Sequence, residues 1–208
     1  MHTFFLGGKY EKKFKRETQK ARLEYDALFR MITVSGRYNE MRIIKQIQPD
    51  FVLEAGNEKI GVEVTEFTTP QDKVMNVISK KNFGMGKTID VIKKDAIKEH
   101  GSKASEYEYF QLDATNVVGR PMFNVVEQHK WYAREVVKKF EIYKGSFAQY
   151  SEFVILCDGQ HSMCLSSKYD SEAILLLARD IKPSMQGFIL NVLRQDDFGK
   201  CVLDTFEV

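Results

Sequence analysis

The chain has 208 residues, 43% of them hydrophobic and 12% aromatic, enough for a real core and against broad disorder. A formal net charge of +2 carries no overall signature of polyanion binding. The cysteines, Cys157, Cys164 and Cys201, lack CxxC spacing, which argues against a disulfide framework or zinc knuckle and for a reducing cytoplasm. The charge is unevenly spread. Lys9 to Arg22 and Lys73 to Lys103 are rich in lysine, and such patches attract phosphate whatever the total. The N-terminal "MHTFFLGGKYEKK" puts its apolar patch before its charges, the reverse of a secretory signal. The longest apolar run, "AILLLA" at 173–178, is too short for a membrane span, so no membrane partner is expected.

In chain order, residues 9–34 carry Phe14, Thr18, Ala21, Tyr25, Leu28, Phe29 and Ile32 at three- and four-residue steps, which predicts an amphipathic helix stopped by Ser35-Gly36. Residues 37–48 fit a short strand or a helical turn. Phe51–Ala55 and Ile60–Phe67 predict two strands joined by "GNEK", a hairpin, with Pro70 closing the second. Residues 71–121 predict a helical insertion, with helices from "QDKVMNVISKK" and "KTIDVIKKDAIKEH" and, over the polar and aromatic 101–121, a loop with a short strand. Between the two helices, "FGMGK" lacks the spacing of a phosphate loop. Residues 122–144 predict a second long helix, in which Val125, Val126, His129, Tyr132 or Ala133, Val136, Val137 and Phe140 keep the helical period. "EFVILC" at 152–157 carries a continuous apolar run after its glutamate, the signature of a buried central strand. A helix at 170–181, a strand at 187–193 and a terminal edge strand "CVLDTFEV" complete an α/β chain with a mixed central sheet flanked by helices.

The chemistry concentrates in "PDFVLEAGNEKIGVEVTEF" at 49–67. Strand alternation puts Glu63 and Thr65 on one face and Val62, Val64 and Glu66 on the other. A tight hairpin brings Asp50 to the same end of the sheet as Glu63. Two carboxylates there repel each other unless a cation lies between them, and Mg²⁺ or Mn²⁺ suits such hard oxygen donors. Glu24, or Glu17, on the first helix can add a third oxygen.

Pro49-Asp50 followed by a hairpin to Glu63-Val64-Thr65, with the helix order and the buried strand, resembles the PD-(D/E)XK nuclease superfamily, the restriction-endonuclease-like fold. The resemblance covers about residues 9–67 and 122–158. It implies one nuclease-like domain over 1–208 with the insertion at about 71–121, and metal-dependent phosphodiester hydrolysis. Asp50 and Glu63, assisted by Glu24, would hold Mg²⁺ or Mn²⁺. The family's motif carries a lysine two residues after the glutamate, where this chain has Thr65. The resemblance permits a relocated lysine from the helix at 122–144, where Lys138 and Lys130 are placed ahead of Lys139.

Lys12, Lys13, Lys15 and Arg16, with Lys80, Lys81 and Lys87, are the expected contacts to backbone phosphates, with DNA ahead of RNA as partner. A homodimer is compatible with the reading. The alternative is a nuclease-fold protein without catalysis, acting as a nucleic-acid-binding or protein-interaction module, and Thr65 is its chief support.

Overall fold

The computed structural model describes residues 19–68, 77–78, 81–82, 84–101, 107–111, 117–121, 125–160, 162 and 165–208. Lys12, Lys13, Lys15, Arg16, Glu17, Lys80, His161 and Cys164 lie outside the described residues. The chain divides into two compact units, Met1–Phe67 with Ala133–Val208, and Thr68–Tyr132.

The first unit is an α/β body around a six-stranded mixed sheet. Helix α1 spans Gln19–Ser35 and is followed by β1 (Arg42–Lys45), β2 (Phe51–Ala55) and β3 (Glu58–Glu66). Ala27, Leu28, Met31 and Ile32 recur at helical spacing and are buried, so α1 lies with that stripe against the sheet. Gly36 ends the helix: at φ 65 it turns left-handed and its N–H donates to the Ile32 carbonyl at 3.1 Å. The ambiguous segment 37–48 contains β1, which pairs antiparallel with β2.

β2 and β3 form the expected hairpin, closed at Ala55 opposite Glu58. Only Gly56 and Asn57 lie in the turn, and Gly56 takes φ 59, the left-handed backbone that a two-residue hairpin demands. β6 (Glu152–Asp158) pairs parallel to both β3 and β7 (Ile189–Gln195). The last strand, β8 (Cys201–Glu207), runs antiparallel beside β7, giving the order β1-β2-β3-β6-β7-β8. The centre is parallel and the margins antiparallel. That explains why the five inner residues of β6, Phe153, Val154, Ile155, Leu156 and Cys157, are all apolar and buried.

The α1 side of the sheet is filled by Phe51, Leu53, Val62, Val64, Val154, Leu156 and Leu193. Each such side chain contributes about 1.5–3 kcal/mol when fully buried. On the opposite face, Phe153 lies among the rings of Tyr143, Phe147 and Tyr150, with Phe140 and Phe188 beyond Phe147. β3 meets this aromatic group through Gly61, where a Cβ would stand 2.8 Å from the Phe153 ring. Helix α4 (Lys168–Ile181) buries Ser171, Ile174, Leu175 and Ala178 and starts at a Ser167–Asp170 capping box.

The second unit holds α2 (Ile89–His100) and a two-stranded antiparallel pair, β4 (Tyr107–Gln111) and β5 (Val117–Pro121). Its small core is Ile78, Ile92 and Ala96. The insertion is therefore not purely helical: a hairpin follows α2, built from the aromatic stretch after the charged helix. Helix α3 (Val125–Tyr143) starts in this unit and supplies Ala133–Tyr143 to the first.

Candidate active site

The register of the hairpin builds the site. β2 and β3 pair as Phe51 opposite Val62, so Asp50, one residue before, stands beside Glu63. The two acids interlock through the main chain. The Asp50 N–H donates to Glu63 Oε2 at 3.2 Å, and the Val64 N–H donates to Asp50 Oδ2 at 3.0 Å. Both carboxylates are buried, and each keeps one oxygen for a cation.

For Glu63 that cation is Lys139, whose Nζ lies 2.5 Å from Oε1. The Lys139 side chain is 21% exposed and that of Glu63 5%. Lys139 comes from α3, which faces the same side of the sheet as Glu63. Four residues on, Tyr143 is also buried and its hydroxyl donates to Glu63. Burial first, then the Glu63 carboxylate, push the Tyr143 pKa well up. Thr65 is buried two places along the same face, opposite Cys157 of β6. Burial likewise raises the Cys157 thiol pKa, against the opposing effect of Lys139.

For Asp50 the cation is Lys45, the last residue of β1. Its Nζ is 3.3 Å from Asp50 Oδ1 and 2.7 Å from Glu24 Oε2. Lys45 pairs with Phe51 across the strands, and its ammonium lies 4.3 Å from the centre of that ring. Glu24 reaches the group from α1, and its other oxygen is 3.2 Å from the Lys20 ammonium. The hydrogen bond to Glu24 raises the Lys20 pKa, and the charges of Asp50 and Glu63 add to the effect.

Asp50, Glu63 and Thr65 thus meet at one end of the sheet, as the sequence spacing implies. Glu24 is close, but Lys45 stands between it and Asp50. Among the described residues no group of three or more His, Cys, Asp or Glu side chains is placed to share a metal ion. The expected set of Glu24, Asp50 and Glu63 accordingly does not close into one three-donor group. The donor chemistry of Asp50 and Glu63 nonetheless fits Mg²⁺ or Mn²⁺: two carboxylates fixed by backbone N–H groups, each with one oxygen already turned to a positive charge.

The ranking of lysines changes. Lys138 points outward, its side chain 64% exposed and 3.8 Å from Glu135. Lys130 pairs with Glu127 at 2.8 Å within its own helix. The physical reason is the rotation of α3. The buried stripe is Tyr132, Ala133, Val136, Phe140 and Tyr143, so Val136 rather than Val137 faces the core and Lys139 turns inward with it. In the second unit, Lys81 pairs with Glu99, and Lys87 lies 2.9 Å from Asp95, so these two expected phosphate contacts are matched by acids on α2. Lys45 and Tyr143 were not expected. Alternation within "RIIK" would have put Lys45 with Ile43 on the α1 side, once that stretch is taken as a strand.

No family model, no curated protein and no solved structure matches this chain. Its class therefore rests on the geometry: an α/β protein with a six-stranded mixed sheet and a buried acid–lysine cluster at one sheet end. Among the described residues no helix is long and apolar enough to cross a membrane.

Proposed function

We propose that this chain is a metal-dependent nuclease with a restriction-endonuclease-like core, hydrolysing phosphodiester bonds in DNA ahead of RNA, in the cytoplasm. The observation that carries the reading is Lys139 Nζ at 2.5 Å from Glu63, beside Asp50. It supplies from α3 the positive charge that Thr65 does not supply from β3. The element order of α1, three strands, α3 and β6 supports the same reading.

Asp50 and Glu63 would hold Mg²⁺ or Mn²⁺, which supplies an acidified water and a counter-charge for the scissile phosphate. Lys139 offers a fixed ammonium to the water and to the charge gathering on the phosphate oxygens. Tyr143 holds Glu63 in place from the same helix. The net change is hydrolysis: water oxygen bonds to phosphorus, one ester P–O bond breaks, and the departing oxygen leaves protonated. The non-catalytic alternative rests on Thr65, and the ammonium of Lys139 beside Glu63 weighs against it.

The test is an assay with labelled DNA and RNA, in Mg²⁺, in Mn²⁺ and in chelator, on wild type and on Glu63→Gln and Lys139→Met. Cutting should require metal. Lys139→Met should lower it by about 10²–10³-fold, the usual cost of one transition-state charge partner. Metal-dependent cutting that persists in Glu63→Gln would show that the site lies elsewhere. No cutting of either substrate, with no Mn²⁺ bound, would sink the nuclease reading.

A further inference from the structure

Lys45 has no part in the chemistry assigned above, yet it is the most completely enclosed cation of the cluster. Its side chain is 17% exposed. Its ammonium touches two carboxylates from different elements, Glu24 of α1 at 2.7 Å and Asp50 before β2 at 3.3 Å. The Phe51 ring backs it at 4.3 Å. Glu24 is itself buried, and its other oxygen lies 3.2 Å from the ammonium of the exposed Lys20. A cation spanning two carboxylates at contact distance is the arrangement of a bridging divalent ion, with one charge fewer.

We infer that Lys45 is a built-in counter-cation filling the place between Glu24 and Asp50, so that the site takes one divalent ion, at Asp50 and Glu63, and excludes a second. The inference rests on the metal site proposed for Asp50 and Glu63. Lys45 acts through other groups and is a positioning residue. It holds Asp50 Oδ1 while the Val64 N–H holds Oδ2, which fixes the carboxylate plane. It also neutralises Glu24, which would otherwise face Asp50 as a buried like charge. Deleting the ammonium leaves two close acids short of a positive charge, and such a pair recruits a cation or a proton.

The experiment is Mn²⁺ titration of the full chain by calorimetry, with electron paramagnetic resonance to detect coupled ion pairs. Wild type should bind one uncoupled ion. Lys45→Met should bind two, with a coupled spectrum, and Lys45→Met combined with Glu24→Gln should return to one. Lys45→Arg, which keeps the charge, should stay at one. A Lys45→Met protein that folds by circular dichroism and still binds one ion overturns the inference and leaves the metal site at Asp50 and Glu63 intact. Two ions bound by wild type overturn it as well, whether or not the variants fold. No ion bound by wild type removes the metal site itself, and the inference with it.

Discussion

Two buried acid clusters lie in the same sheet, and their counter-charges are attached differently. At β7 and β8, Asp204 is gripped by Arg194, with Nε 2.7 Å from Oδ2 and Nη2 3.3 Å from Oδ1. The Ser171 hydroxyl adds a third bond at 2.8 Å, and the Arg194 fork is anchored further to the Ser166 carbonyl. At β2 and β3, Asp50 and Glu63 are held by their neighbours' N–H groups, and lysines supply the charge. A guanidinium fork fixes both oxygens of a carboxylate in one plane; an ammonium is a point charge on a flexible stem. The first cluster is built to stay as it is. The second carries its positive charge on flexible stems, over carboxylates that backbone N–H groups already hold.

The widest gap between the two should appear on removing the arginine. Arg194→Met strands Asp204 in a nearly closed site and should cost about 3–5 kcal/mol in urea unfolding, with Mn²⁺ binding unchanged. Importing the fork into the other cluster should have the opposite profile. Lys139→Arg should lower Mn²⁺ affinity by about 10–100-fold, because the fork competes for both Glu63 oxygens, while the urea midpoint holds or rises. Equal effects of the two substitutions on stability would erase the distinction. Next comes Gly61→Ala, which forces a methyl against the Phe153 ring beneath the site and should cost about 1–3 kcal/mol. The smallest effect concerns pH. Burial and Glu63 raise the Tyr143 pKa above its ordinary value of 10.0, so the folded state holds that proton more tightly than the unfolded chain does. The stability it contributes is intact below pH 10 and is lost as pH rises beyond it. Tyr143→Phe should therefore flatten the alkaline fall in stability seen by denaturant titration, and an unchanged alkaline limb would count against the contact.

Much of the frame was legible because it rests on strong local signals. The Gly56 turn, the alternation through β3 and the unbroken apolar run of β6 each point to one structure. Asp50 and Glu63 followed from that hairpin by register alone. The lysines were harder. Val136 and Val137 serve a helical stripe equally well in sequence, and which one faces the core decides whether Lys139 or Lys138 turns towards Glu63. β1 has only four residues and none of them fully buried, so its pattern is too short to choose between strand and helical turn. Lys45 stayed hidden with it. In the insertion, the hairpin of β4 and β5 lay in a polar and aromatic stretch without a clear alternation.

The interlock between Asp50 and Glu63 has a consequence for quality control of the fold. Because each acid is fastened by the other strand's main chain, the pair exists only in one alignment of β2 on β3. A slip by one residue would send Glu63 to the α1 side and leave Lys139 facing a valine. Ion binding at this end of the sheet would then report strand alignment as faithfully as it reports chemistry, and a misaligned chain that is still compact would be silent.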